Sequence, residues 1–190
     1  MNHGLFLTAV AAIALALPVS AQDSRISEDR DRFQMTVNGA SISIFRSGAA
    51  CPPACLQPMQ AAPGVGTIGE LEMLDFLELF VAGGSGLLVD TRLPEGYAAG
   101  TVPGAVNVPS ATLRPGNPYR DDLLNALGVR SGDFSAAFDL VVFGTGPDDA
   151  DAAEAVRSLL EAGYPATKLK YYRGGLNAWV GLGLSTAASR

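Results

Sequence analysis

The sequence predicts an α/β fold in which a mostly parallel sheet carries helices on both faces, with a β-hairpin added on the N-terminal side. Short, continuous apolar runs recur at residues 87–89, 140–143 and 169–172, as in strands that are covered on both faces. Helix patterns lie between these runs, and strands that alternate with helices are typical of a parallel sheet. Two alternating runs around an Asn-Gly pair at 38–39 predict the hairpin.

Residues 1–21 have the pattern of a secretory signal peptide. Residues 5–17 are apolar apart from Thr8, a run too short for a bilayer span of about 20 residues. Pro18 ends the run, and residues 19–21 form the small-x-small pattern of a cleavage site. We therefore predict a periplasmic or secreted mature protein of 169 residues (190 minus 21) without a stable membrane span. An uncleaved anchor is the alternative, because no lysine or arginine precedes the apolar run.

Charge and histidine content exclude several classes of function. The net charge of −6 belongs to the mature protein, since no charged side chain lies in the predicted signal peptide. This charge argues against nucleic acid or an anionic membrane surface as a partner. The one histidine, His3, is lost with the signal peptide. Ser-His and Cys-His nucleophile pairs are therefore excluded in the mature chain, as are histidine metal ligands.

Residues 22–64 are predicted to hold a charged linker, the hairpin and a proline-rich loop. The linker covers the polar residues 22–32, and the alternating runs 33–37 and 42–44 form the hairpin. Because an isolated hairpin is marginal in water, we expect it to pack on the main domain. Proline density excludes a regular helix at 51–59.

Residues 65–190 are predicted to form one α/β domain that begins with a helix. Thr67 and Glu70 fit a capping box, in which the threonine accepts an amide hydrogen bond and the glutamate reaches back to the cap. The helix is expected to run to about Phe80. Its apolar face is predicted to carry Leu71, Leu74 and Leu77.

Two further helices are predicted in this domain. One lies near residues 121–127 and ends at Gly128. The other spans 148–162 and has acids in its first turn, where they favour the helix dipole. Its apolar face is predicted to carry Ala152, Val156, Leu159, Leu160 and Gly163.

Three sequence motifs follow one another between about residues 67 and 185. The first is LVDTR at 88–92 with EGY at 95–97, the second is GTVPGAVNVP at 100–109, and the third is YRGGLNAW at 172–179. Their order and spacing resemble a single domain of the rhodanese family of sulfurtransferases, which carries Asp-x-Arg, Gly-His-Ile-Pro-Gly-Ala-Ile-Asn and Gly-Gly-x-x-Ala-Trp. Thr101 stands where histidine is usual. The resemblance implies an α/β sheet whose site lies at the carboxyl ends of parallel strands.

The resemblance also implies that the loop after the strand at 140–143 carries the chemistry. In the family a cysteine at the first loop position accepts sulfur as a thiolate, which backbone amides at a helix N-terminus stabilise. Here that position is Gly144, and the loop contains neither cysteine nor arginine. We call residues 144–149 the active loop; they are Gly144, Thr145, Gly146, Pro147, Asp148 and Asp149.

The aspartates of the active loop reverse its electrostatics. We expect Asp148 and Asp149 to occupy the helix N-terminal amides as an internal anion and to repel an anionic donor such as thiosulfate. The loop is therefore predicted not to transfer sulfur. Helix capping with solvation is one interpretation of these acids. A site for a cation or an amine that also uses Asp151 is the other, although the further ligands that calcium needs are not recognisable.

The remaining motif residues are interpreted as structural. Asp90 and Arg92 are predicted to form an ion pair that anchors a loop rather than to take part in catalysis. Trp179 is predicted to lie in the core. The motif glycines are predicted at backbone turns, namely Gly100, Gly104, Gly174 and Gly175.

Cys51 and Cys55 are the only cysteines of the chain, and three interpretations of them stay open. An even cysteine count in an exported protein favours a disulfide, here a local staple. A redox-active or sulfur-accepting dithiol would replace the missing loop cysteine. Met59 follows at the same spacing of four, and two thiolates with a thioether suit Cu(I). A structural zinc site is less favoured than copper, because four nitrogen or sulfur ligands are not available.

The favoured hypothesis is an exported rhodanese-like domain without sulfur transfer at its active loop, a pseudoenzyme that acts as a binding or accessory module. Its partner would be a protein or a small molecule, and no cofactor is expected. The alternatives are a thiol-disulfide or sulfur-transfer enzyme that uses Cys51 and Cys55, and a Cu(I)-handling protein that adds Met59 to this pair. Enzymatic activity is therefore left open by the sequence.

Overall fold

A computed structural model describes residues 32–52 and 54–188 of the chain. The predicted signal peptide and all but the last residue of the predicted linker lie outside the described residues. The strands are β1 (Arg32–Val37), β2 (Ala40–Phe45), β3 (Gly66–Thr67), β4 (Gly86–Asp90), β5 (Ala105–Asn107), β6 (Asp139–Phe143) and β7 (Leu169–Tyr172). The α-helices are α1 (Glu70–Phe76), α2 (Pro94–Ala99), α3 (Ser110–Leu113), α4 (Arg120–Ala126), α5 (Asp151–Glu161) and α6 (Gly175–Gly181).

A five-stranded sheet forms the centre of the fold, with the strand order β3-β7-β6-β4-β5. Every neighbouring pair in this sheet is parallel. Residues 140–143 in the central strand β6 are fully buried, which explains why they form an unbroken apolar run. The predicted α/β class and the strands predicted at 87–89, 140–143 and 169–172 are confirmed.

Alternate side chains of β6 enter two separate cores, because successive residues of a strand point to opposite faces. Leu140 and Val142 belong to the core shared with residues of α3 and α5. Val141 and Phe143 belong to the core shared with α1 and α6, where Trp179 is buried. Helices thus cover both faces of the sheet.

Two predicted helices are confirmed with small shifts in their bounds. The helix predicted at 121–127 is α4, and Gly128 follows it with a φ of +89°, a conformation that glycine adopts without strain. The helix predicted at 148–162 is α5, which begins at Asp151. The first three residues of the predicted helix, 148–150, instead lie in the active loop and in its connection to α5.

The predicted cap of α1 is wrong by two residues. Thr67 lies in β3, where it pairs with Tyr171 of β7, and its hydroxyl donates to the Met59 carbonyl. The helix begins at Glu70, and the Gly69 N–H donates to Glu72 Oε2 at 2.9 Å. The glutamate that reaches back to the helix start is therefore Glu72 rather than the predicted Glu70, and the predicted cap residue Thr67 belongs to the edge strand.

The predicted apolar face of α1 is wrong for two of its three residues. Leu71 and Leu74 are 74% and 45% exposed, whereas Met73 and Phe76 are buried against the sheet. Leu77 is partly buried against the same core, as predicted. The helix continues as a π-helical turn over Leu77–Val81. Apolar residues are so frequent in this segment that two helix faces satisfy the same periodicity, and packing against the sheet selects one of them.

The N-terminal hairpin is confirmed as a separate antiparallel pair. Its turn residues Asn38 and Gly39 have φ values of +50° and +81°, as a two-residue type I′ turn requires. The expectation that the hairpin packs on the main domain is wrong, since 11 of its 12 strand residues are exposed. The helices already cover both faces of the five-stranded sheet, so the sheet has no free face for the hairpin.

The helices of the described residues were also compared with the length and hydropathy of a membrane span, and none of them reaches both.

Candidate active loop

The active loop lies at the carboxyl end of β6, the central strand, where ligand sites of parallel sheets generally form. The neighbouring strands β4 and β7 end at the same edge and bring two of the motifs to the loop. Asp90 is the last residue of β4 and Arg92 follows it, whereas Gly174 and Gly175 follow β7. The motifs singled out in the sequence therefore meet at one edge of the sheet.

The start of α6 holds the first half of the active loop. The Leu176 N–H donates to the Gly144 carbonyl at 3.0 Å, and the Asn177 N–H donates to the Thr145 carbonyl at 2.9 Å. Gly175 has a φ of +59°, and a Cβ at this residue would lie 2.6 Å from the Gly144 oxygen. Only a residue without a side chain allows this close approach, so the glycine of the third motif positions the loop.

The Asp149 side chain turns back into the active loop. Its Oδ2 accepts the Thr145 N–H at 2.7 Å, and its Oδ1 accepts the Asp151 N–H at 2.9 Å. A carboxylate that accepts backbone N–H groups forms charge-assisted bonds. Asp148 is partly exposed. Asp149 is therefore the aspartate that binds the amides at the entrance to α5.

The Asp149 carboxylate fills the space beside the buried residue Gly144. An ideal Cβ at Gly144 would lie 2.7 Å from Asp149 Oδ2 and 3.4 Å from Thr91 Oγ1. The Thr91 hydroxyl itself donates to the Phe143 carbonyl at 2.9 Å. A side chain at position 144 and the observed position of the Asp149 carboxylate thus exclude each other. Thr145 carries the only hydroxyl of the active loop and is exposed.

Negative charge is concentrated after the active loop. Loss of hydration raises the pKa of the Asp151 carboxyl above its ordinary value, and the nearby carboxylates of Asp149 and Glu154 raise it further. Arg114 opposes the shift and pairs with Glu154, with 2.6 Å between Nη2 and Oε2. The exit of the loop is therefore an unfavourable environment for a further anion.

Asp90 and Arg92 form a buried ion pair. The Asp90 side chain is fully buried, and its Oδ2 lies 2.6 Å from Arg92 Nη2. The Arg92 N–H and Nε both donate to Asp90 Oδ1 at 3.0 Å. Arg92 Nη2 also donates to the Gly100 carbonyl at 2.7 Å. The guanidinium thereby ties the end of β4 to the start of the second motif.

Two more residues support this ion pair, although the sequence did not suggest this role for either of them. Thr101 Oγ1 donates to Asp90 Oδ2 at 2.7 Å. Asn107 Nδ2 donates to the carbonyls of Asp90 and Arg92 at 3.0 and 2.9 Å. Thr101 and Asn107 both lie in the second motif. Their position in that motif is the sequence signal from which these contacts could have been predicted.

Cys51 and Cys55 form a disulfide, with 4.7 Å between their Cα atoms. The segment after it contacts the active loop, because the Gln57 N–H donates to the Pro147 carbonyl at 2.9 Å. The Gln57 carbonyl accepts Arg173 Nε at 3.0 Å, and Gln57 Nε2 donates to the Cys55 carbonyl at 2.9 Å. The disulfide segment and the active loop are thus neighbours, which the sequence does not reveal.

The sulfur atoms are not suited to bind a metal ion while the two cysteines form a disulfide. Both are bonded to each other, so neither is a thiolate, and Met59 is 59% exposed. Within residues 32–52 and 54–188, no group of three or more His, Cys, Asp or Glu residues is arranged to hold a metal ion.

Comparison with known proteins assigns the family. The model of the rhodanese-like domain family matches residues 74–182, which are 109 of the 190 residues. The chain belongs to this family. No curated protein matches the sequence.

Solved structures are similar to this chain at low sequence identity. A Bacillus halodurans protein is 17% identical with a TM-score of 0.50, and the match covers 65% of this chain and 76% of that one. A thiosulfate sulfurtransferase from Pseudomonas aeruginosa is 20% identical with a TM-score of 0.47. That match covers 66% of this chain but 21% of the enzyme. A rhodanese-like domain from Anabaena is 27% identical with a TM-score of 0.40, over 54% of this chain and 98% of that domain.

Proposed function

We propose that this chain is an exported rhodanese-like domain that does not transfer sulfur at its active loop and acts as a binding or accessory module. The observation that carries the proposal is the position of Asp149. Its carboxylate accepts the Thr145 N–H at 2.7 Å and stands 2.7 Å from where the Cβ of a residue at 144 would lie. An internal carboxylate thus occupies the place that the family resemblance gives to a sulfur nucleophile.

The chemistry of sulfur transfer explains why this arrangement opposes it. A thiolate or persulfide at the loop needs backbone N–H groups to stabilise its charge. Here Asp149 accepts two of those N–H groups, from Thr145 and Asp151. A donor anion about 5 Å from this carboxylate would be repelled by roughly 3 kcal/mol at an effective dielectric constant of about 20. Gly144 provides no nucleophile, and the two cysteines are bonded to each other.

Export rests on the N-terminal sequence. Residues 5–17 and the cleavage pattern at 19–21 support a secretory signal peptide, and an exported location agrees with a disulfide. Intact mass of the protein from its native compartment tests this part. We expect a chain that begins at Gln22, and a chain that keeps residues 1–21 would contradict cleavage.

Thiocyanate formation from thiosulfate and cyanide tests the inactive loop. We expect background activity from the wild-type protein and little activity from Gly144→Cys, because the new side chain meets the Asp149 carboxylate. Gly144→Cys with Asp149→Ala removes both the charge and the group that fills this space, and should be the more active variant. Gly144→Cys with Asp148→Ala is the matched control, since it removes one charge of the same loop without changing the residue that binds Thr145.

Two outcomes of this assay would contradict the proposal. The first is wild-type activity that Cys55→Ser abolishes, since the disulfide cysteines would then be the working chemistry. The second is strong activity from Gly144→Cys alone, which would show that the Asp149 carboxylate does not block a nucleophile at 144. Circular dichroism of each variant establishes that it is folded.

A further inference from the structure

We propose that the Cys51–Cys55 disulfide is a redox-responsive element that holds the active loop in place through Gln57. This coupling does not depend on whether the loop transfers sulfur. It rests on hydrogen bonds that connect the disulfide segment to the active loop at Pro147 and to Arg173, which lies beside the segment that holds Gly144. The proposed partner of the site is a dithiol, which would reduce the disulfide and loosen the loop.

The first connection runs directly from the disulfide segment to the active loop. Cys55 and Gln57 are two residues apart, and the Gln57 amide side chain donates to the Cys55 carbonyl at 2.9 Å. The Gln57 backbone N–H donates to the Pro147 carbonyl at 2.9 Å. The disulfide joins Cys55 to Cys51, four residues earlier, and so short a link limits the conformations of Cys55. The disulfide therefore restrains the residue whose carbonyl accepts the Gln57 side chain.

The second connection reaches the start of the active loop through Arg173, which follows β7. The Gln57 carbonyl accepts Arg173 Nε at 3.0 Å. Arg173 directly precedes the glycines that lead into α6, and the Leu176 and Asn177 N–H groups of α6 donate to the carbonyls of Gly144 and Thr145. Gln57 thus contacts the active loop itself at Pro147 and also the segment that holds Gly144 at its start.

Reduction would remove the constraint on this segment. A dithiol attacks the bond between the two Sγ atoms; its sulfurs form a new disulfide, and its two thiol protons pass to Cys51 and Cys55. The open segment gains conformations, so the free energy of holding Gln57 against the loop becomes less favourable. Coupling between two equilibria is reciprocal. Docking of Gln57 on the loop must therefore make the disulfide harder to reduce by the same factor.

Amide hydrogen exchange of the mature protein tests the coupling. Exchange is followed by NMR in the oxidised protein, in the protein reduced with dithiothreitol, and in the Cys51→Ser/Cys55→Ser variant. We expect the Gln57 N–H to exchange at least about tenfold faster without the disulfide, and the Leu176 and Asn177 N–H groups at least about threefold faster. The Tyr164 N–H is the control. Tyr164 lies beyond α5 and its N–H donates to the Leu159 carbonyl, so its exchange rate should not change.

Titration with dithiothreitol tests the reciprocal effect. Arg173→Lys keeps the charge but removes the Nε donor to the Gln57 carbonyl. We expect the disulfide of this variant to be half reduced at a ratio of reduced to oxidised dithiothreitol about threefold lower than in the wild type. Lys170→Arg in β7 is the matched control and should leave that ratio unchanged.

Three results would overturn the proposal. One is equal exchange of the Gln57, Leu176 and Asn177 N–H groups with and without the disulfide. Another is an equal rise at Tyr164, since exchange would then report a general loss of stability. The third is an unchanged reduction midpoint in Arg173→Lys, because reciprocity requires a shift.

Discussion

Substitution of Gly144 by alanine tests the position of the Asp149 carboxylate without any assumption about activity. The new Cβ would lie 2.7 Å from Asp149 Oδ2, closer than carbon and oxygen normally approach. The carboxylate is the end of a side chain and can move away. It then loses the Thr145 N–H, to which it is bonded at 2.7 Å.

The magnitude follows from that hydrogen bond. A hydrogen bond to a charged group contributes about 1.5–3 kcal/mol, and Asp149 is partly exposed, so we expect Gly144→Ala to destabilise the protein by about 2 kcal/mol. When Asp149→Ala is already present, the only tight neighbour is Thr91 Oγ1 at 3.4 Å. Gly144 has no positive φ, so alanine there should be neutral or stabilise by up to about 1 kcal/mol through the unfolded state.

Gly175→Ala provides the contrast. Its Cβ would lie 2.6 Å from the Gly144 carbonyl oxygen, and a backbone atom cannot turn away as a carboxylate can. Its φ of +59° adds strain for any residue with a side chain. We expect a loss of at least about 3 kcal/mol, from overpacking and backbone strain together. Asp149→Ala should not relieve this loss.

Urea denaturation measures these effects. It is applied to the wild type, to the single variants Gly144→Ala, Asp149→Ala and Gly175→Ala, and to the two double variants that combine Asp149→Ala with Gly144→Ala or with Gly175→Ala. The double-mutant cycle of positions 144 and 149 should give a coupling free energy of about 2 kcal/mol or more. Additive effects within about 0.5 kcal/mol would refute the reasoning, because they would show that the carboxylate does not occupy the space beside Gly144. A coupling of the same size between positions 175 and 149 would refute it as well.

Two further predictions concern buried polar groups. Asp90→Ala leaves the Arg92 guanidinium without its buried carboxylate, so urea denaturation should show a loss of about 3–5 kcal/mol, and a loss below about 1 kcal/mol would contradict this ion pair. Burial and the hydrogen bond to Glu70 raise the pKa of Tyr172 above its ordinary 10.0, so the unfolded state ionises first as pH rises. The stability contributed by this shift is complete below pH 10.0 and declines above it, and Tyr172→Phe should make the alkaline decline of stability measured in urea shallower.

The fold class could be predicted from sequence because its signals are local. The run at 140–143 is apolar at every position since both faces of β6 are covered, and Asn38 with Gly39 supports a turn of two residues. The helix α1 shows the limit of such signals. Its segment is so rich in leucine and phenylalanine that periodicity alone allows two faces, and only contact with the sheet buries Met73 and exposes Leu71.

In the candidate site, too, the sequence determines some features and only the tertiary structure determines the others. The sequence by itself determined the family motifs, the missing side chain at Gly144 and the acids that follow it. It did not determine that Asp149, rather than Asp148, binds the Thr145 amide, because the start of α6 sets the course of the loop. The sequence also did not determine that Gln57 contacts Pro147. These residues are 90 positions apart in the chain (147 minus 57), and the assembly of the strands into the sheet brings them together. Contacts between distant segments depend on the packing of the whole domain, and no local pattern encodes them.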